Sequence, residues 1–186
     1  MELTKKQKPQ GRQKAVALYS QKYNLTQAET LENIKKVEAK AFKPIPESSL
    51  ERNITFITSE EEADLSAILA QDLDRHAQAS QEYILNGIKA MKSQLKSSPE
   101  NDWGMMFDLY SSELQDVDSR DFNRTVKKFL IGEVGNGWFP VFAEFNQELK
   151  NERKHRKNAS QRLKYSVGAF DTEYALCGKY KRFDGV

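Results

Sequence analysis

The chain has 186 residues, 38% hydrophobic and 30% charged, with a mean hydropathy of −0.75 and a formal net charge of +2. This balance fits a modest helical core with mobile polar ends, and no run of about 18 apolar residues is there to span a membrane. A single cysteine, Cys177, excludes an internal disulfide framework. Met1 to Lys6 has basic residues with no apolar stretch after them, so no secretory signal is expected, and the cytoplasm is the default compartment.

Charge is distributed unevenly. Residues 1–22 carry six Lys/Arg against Glu2, and residues 150–182 carry ten against Glu152, Asp171 and Glu173. The middle of the chain is acidic. Basic ends suit a polyanion, and they equally suit solvated tails.

In chain order, residues 1–43 read as a basic arm (1–14) followed by short helices. Ala15 to Tyr23 holds enough apolar positions for one of them. Thr26, with Glu29 three residues on, forms a capping box for a helix over 27–41, where Ala28, Leu31, Ile34, Val37 and Ala41 make a stripe. Pro44 and Pro46 end that helix, and residues 44–58 read as a linker. Within it, Ile54 to Ile57 is β-prone and expected to lie extended on a helix surface. Thr58 or Ser59 caps the next segment, 59–97, with Glu60, Glu61 and Glu62 at the positive end of its dipole. Its stripe from Leu65 through Leu73, His76, Tyr83 and Ile88 to Leu95 predicts one long helix, or two joined near Ala77–Ser80. Such a stripe must face another helix, from this chain or from a second copy.

After the boundary at 96–101, Asp102 caps a helix carrying Trp103, Met106, Phe107, Tyr110 and Leu114. Asp118 or Ser119 caps one carrying Phe122, Val126, Phe129 and Leu130. Gly135-Asn136-Gly137 then permits positive φ, delivers Trp138 and Phe139 together, and leaves Pro140 at a helix start. The last helix is expected from about Pro140 to Leu163, which makes 102–163 a three-helix unit. Residues 164–186, with Phe170, Tyr174, Tyr180 and Phe183 among basic residues, read as an aromatic tail without clear period. The predicted fold class is all-α.

No phosphate-cradling Gly-x-x-x-x-Gly-Lys-Ser/Thr loop occurs, and the one Gly-x-Gly opens into Trp-Phe-Pro. His76 on the apolar stripe reads as a core or boundary residue, and His155 as one more polar group of a basic run. One cysteine and two histidines assemble no zinc set at usual spacing. No nucleophile–base pair is discernible, so neither an enzyme, a cofactor nor a metal is expected. The strongest binding signal is basic: Lys150, Arg153, Lys154, Arg156, Lys157, Arg162 and Lys164 are candidate nucleic-acid contacts, with charge spread around the helix. Trp138 and Phe139 read either as core rings or as a partner hot spot.

The order Trp103, Tyr110, Leu114, Phe122, Val126, Trp138-Phe139-Pro140, Glu144-Phe145, Arg153, Arg156 resembles a helical domain of bacteriophage and prophage replication proteins. These are helicase loaders without an ATPase domain, of the lambda P type. The likeness covers about fifty residues, and Val141 stands where that group usually has Pro or Thr. It implies an adaptor that grips a hexameric DnaB-type replicative helicase in the bacterial cytoplasm and helps deliver it to single-stranded DNA, with no membrane involved. Tyr110, Trp138, Phe139, Phe142 and Phe145 are then the candidate partner-binding residues. The alternatives are a DNA-binding replication organiser or regulator, and a phage-encoded inhibitor that captures a host protein.

Overall fold

The computed structural model describes residues 11–43, 57–99 and 101–177. Among them are seven helices and no sheet, so the fold is all-α. They run α1 Gly11–Lys22, α2 Gln27–Phe42, α3 Glu60–Asp74, α4 Gln81–Gln94, α5 Trp103–Glu113, α6 Ser119–Leu130 and α7 Phe142–Cys177. The chain divides into two compact units, one of residues 1–75 with 157–186 and the other of residues 76–156. No helix among the described residues is long and apolar enough to cross a membrane.

The first unit packs α1, α2 and α3 together with the later part of α7. Ile34, Val37 and Ala41 of α2 meet Leu65, Ile68, Leu69 and Leu73 of α3, with Ala15 and Tyr19 of α1 and Ala159 and Leu163 of α7. The capping box is present: Glu29 N–H donates to Thr26 Oγ1 at 3.3 Å, and Thr26 N–H to Glu29 Oε2 at 2.8 Å. α1 ends on Asn24 at φ 52°, with Leu25 N–H donating to the Ser20 carbonyl and Asn24 N–H to that of Gln21. That is a Schellman stop made with Asn in place of Gly. Arg12 joins α1 to both neighbours, reaching Glu38 at 3.1 Å and Asp72 at 2.8 Å. Residues 11–14 of the expected basic arm (1–14) therefore belong to a helix, whereas residues 1–10 of that arm and 44–56 of the expected linker (44–58) lie outside the described residues.

The segment 59–97 is two helices, and they belong to different units. Ser59 caps α3 and Ser80 caps α4. Residues between them pair with the loop before α6: Ala79 N–H donates to the Val117 carbonyl at 2.9 Å and Ser119 N–H to that of Ala77 at 2.7 Å. His76 accordingly sits in this connection, half exposed, against Asp116 at 3.1 Å, and not on an apolar stripe. A continuous helix could not make those backbone bonds, because its own ladder would use the same Ala79 N–H and Ala77 carbonyl.

The second unit contains α4, α5, α6 and α7 as far as Arg156, so it gains a helix over the expected three and stops short of residue 163. Ile84, Ile88 and Met91 of α4 close the core formed by Tyr110, Phe122, Phe129, Phe139 and Phe145. α6 ends on Gly132 at φ 71°, with Glu133 N–H on the Lys128 carbonyl. The chain then bends through Gly135 and Gly137, both at positive φ, before Phe142 opens α7. Pro140 lies two residues ahead of the helix, not inside it. At the other end α7 runs to Cys177, past the expected stop, because Leu163, Val167 and Phe170 continue its buried face at spacings of four and three. Val167 and Phe170 pack with Ile57 and Ala63.

Candidate interaction surface

The corner is assembled on a cluster of rings. Tyr110 meets Phe142 edge-on at 5.1 Å, Phe145 at 5.4 Å and Phe139 at 6.0 Å between centroids. Phe145 in turn stacks on Phe129 at 5.9 Å and touches Phe122 at 5.8 Å. Trp103 stands edge-on to Phe139 at 5.0 Å, with the Lys92 ammonium 4.4 Å above its ring. The buried Tyr110 hydroxyl donates to the Pro140 carbonyl at 3.0 Å, tying α5 to the corner. Burial first, and then the nearby Glu144 carboxylate, push this phenol well above its ordinary range. A second tie comes from the connection after α4: Lys96 N–H donates to the Gly137 carbonyl at 3.0 Å, and Phe139 N–H to that of Lys96 at 2.7 Å.

The five candidate partner-binding residues therefore divide. Tyr110, Phe139 and Phe145 are buried, and Phe142 packs against the same core. They pack the core of the unit, Phe142 remaining partly exposed. Trp138 is 49% exposed, raised on the backbone between Gly137 and the buried Phe139. Val141, three residues further on, is 65% exposed, and Met105 and Leu109 are exposed on α5. One ring of an adjacent pair goes in and the other out, as expected where extended backbone alternates its side chains.

The seven candidate nucleic-acid residues divide as well. Arg156 is buried, with Nε and Nη2 donating to Asp121 at 2.8 and 2.9 Å. Its Nη2 also lies 3.5 Å from Asp118. Arg162 donates to the carbonyls of Ala41 and Lys43, and Lys164 pairs with Asp74. Exposed and without a carboxylate partner among the described residues are Lys150, Arg153 and Lys154 in the second unit, and Lys157 in the first. The first three share one face of α7 at spacings of three and four. Basic charge is thus not spread around the helix: the opposite face holds Leu149, Glu152 and Arg156, all buried.

Charged groups that sequence reasoning missed lie under that face. Lys128 of α6 reaches Glu148 and Glu152, each at 2.7 Å, and Glu133 at 3.7 Å. Burial alone would lower the Lys128 ammonium, but its hydrogen bonds to Glu148 and Glu152 outweigh that and raise it. Burial likewise acts to raise the Glu148 carboxyl, while hydrogen bonds from Lys128 and Asn151 bring it below its ordinary value. Twenty residues separate Lys128 from Glu148, so no helical spacing could announce the pair.

Among the described residues no cluster of three or more His, Cys, Asp or Glu is disposed to hold a metal ion. An open groove of about 430 Å³ in the second unit is lined by Gln78, Ala79, Ser80, Gln81, Ile84, Ser111 and Gln115. It offers amides and hydroxyls and no titratable side chain. Fold and surface together define an all-α protein presenting an isolated exposed indole and a basic helix face. No protein-family model matches the chain, and no curated protein or solved structure comes out as similar to it.

Proposed function

We propose that this protein is an adaptor that acts by binding, with a hexameric replicative DNA helicase as its partner and the bacterial cytoplasm as its place of work. The observation that carries the reading is Trp138, an indole half out in solvent on a turn anchored by Lys96, just after α4, and by Tyr110 of α5. A large ring fixed in advance loses little entropy on docking, which is the property of an interface anchor. The helicase as partner rests on the resemblance of residues 103–156 to non-ATPase loaders. A chain without a nucleotide-cradling loop supplies only binding energy, and that suffices to shift a ring between closed and open populations.

The test is a titration of the full chain against a DnaB-type hexamer, with Trp138→Ala alongside. Truncating a central aromatic anchor costs about 2–4 kcal/mol of binding, whereas a ring this exposed leaves the melting temperature nearly unchanged. Loss of affinity at constant stability supports the adaptor. Undiminished binding by the variant overturns the role of Trp138, and no binding by the parent chain overturns the partner.

A second reading, a DNA-binding organiser or regulator, is favoured by the exposed face of Lys150, Arg153 and Lys154. Three phosphate contacts on a single strand give a salt slope near about −2, with no base preference, while a regulator would add sequence preference to it. A capturing inhibitor differs in sign, since it suppresses helicase unwinding where a loader stimulates it.

A further inference from the structure

The chain contains two Asn-Gly pairs, Asn86-Gly87 and Asn136-Gly137. Both asparagines are exposed, so access to water does not distinguish them. Glycine after asparagine leaves the backbone nitrogen unshielded and free to approach the preceding side-chain amide. What differs is the backbone each pair sits in.

Gly87 lies in the middle of α4, where its N–H donates to the carbonyl four residues earlier. The helix is also pressed against α6 at this point: a Cβ on Gly87 would fall 2.5 Å from the Phe122 ring. Rotation of that peptide would break the ladder and the packing at once. Gly137 lies in the corner, at φ +82°, with nothing within 4 Å of where a Cβ would stand. Its N–H has no acceptor among the described residues. The Asn136 side-chain carbonyl accepts a hydrogen bond from Trp138 N–H at 3.2 Å.

We propose that Asn136 is a site of spontaneous backbone-assisted deamidation, and that the fold exempts the otherwise identical Asn86. The Gly137 nitrogen, its proton taken by solvent base, bonds to Asn136 Cγ. Negative charge gathers on Oδ1, the atom that Trp138 N–H already faces, so this donor acts as a one-pronged oxyanion site. The Cγ–Nδ2 bond then breaks and ammonia leaves, taking a proton from water. Water opens the resulting five-membered imide at either carbonyl, giving aspartate or the isomer whose main chain runs through the former side chain. Only water is consumed, and no oxidant or cofactor takes part.

Either product puts a carboxylate two residues before Trp138, and the isomer lengthens the backbone just ahead of the Gly137 carbonyl that Lys96 holds. The modification therefore falls on the corner that displays the exposed indole. Its chemistry does not depend on what that indole binds.

The experiment keeps the purified full chain folded in mildly alkaline buffer over days, with a parallel sample in urea, and reads both asparagines by peptide mass and chromatography. In the folded sample the Asn136 peptide is expected to convert to its acid, split between two chromatographic forms, about tenfold or more faster than the Asn86 peptide, a barrier difference of about 1.4 kcal/mol. In urea the two should convert at similar rates. An Asn136 that stays intact in the folded chain overturns the proposal, as does equal conversion of Asn86 while folded. Unequal rates in urea would show that the fold is not what separates them. Asn136→Gln, which would need a larger ring, should remove the acid product from this peptide.

Discussion

Asp118 caps α6 with its carboxylate out of water and four donors around it: the Ala77 N–H, the Arg120 N–H, and Nε and Nη2 of the Arg120 side chain. Burial alone would raise this carboxyl, but the hydrogen bonds from Arg120 and Ala77 overcome it and hold the group well below the usual carboxylate range. A carboxyl depressed by folding adds stability that is complete above its unfolded value of about 4 and drains away as pH falls toward the folded one. Asp118→Asn should therefore cost about 3–5 kcal/mol at neutral pH, with the gap to the parent narrowing below pH ~4. Melting curves of both proteins between neutral and acid pH check this, and a gap independent of pH would refute it. A cap at Asp118 or Ser119 was legible from its place before a helical stripe, and the structure selects Asp118. Its grip on Ala77, forty-one residues away, was not, since only the folded chain brings the two loops together.

At the scale of the element, α7 marks how far periodicity reaches. The apolar residues Phe142, Phe145 and Leu149 announce its start, and the charged run after them hides its continuation. Over 150–164 the inward positions are Glu152, Arg156, Ala159, Ser160 and Leu163, a mixture that no apolar count recognises. The polar members are satisfied in place. Arg156 pairs with Asp121, and Ser160 Oγ bonds Asp74 at 2.5 Å. Phe170 then sits 2% exposed in what composition suggests is a loose tail. Phe170→Ala should remove about 3–5 kcal/mol from the first unit, read as a lowered denaturant midpoint. An unchanged midpoint would mean that this stretch of α7 contributes no packing. The break between α3 and α4 shows the converse case. The sequence pattern reads as one stripe through both helices, yet the extended backbone at Arg75, the Ser80 cap and the pairing at Ala77 and Ala79 divide it.

For the molecule as a whole, charge reversal separates binding from folding. Changing Lys150, Arg153 and Lys154 together to Glu should leave the melting temperature nearly unchanged. It should abolish retention of single-stranded DNA in low salt, where each phosphate contact contributes about 0.7 to the salt slope. Arg156→Glu, one residue of the same basic run, should instead place a third carboxylate beside Asp118 and Asp121 and destabilise the second unit by about 3–5 kcal/mol or more. Retention that survives the triple reversal would discard the basic face as a nucleic-acid contact.

The sequence by itself determined the class of fold and the local signals within it. The caps at Thr26 and Asp102, those at Thr58 or Ser59 and at Asp118 or Ser119, the apolar stripes, and the glycines able to take positive φ all act over a few residues, so they can be read in order along the chain. Tertiary structure alone decided which of two neighbouring rings turns inward and which arginine in a basic run is buried. It also decided which of two identical Asn-Gly pairs keeps its peptide nitrogen engaged. Those outcomes depend on what lies opposite each residue in the folded chain, and residues brought opposite one another by folding leave no spacing to read.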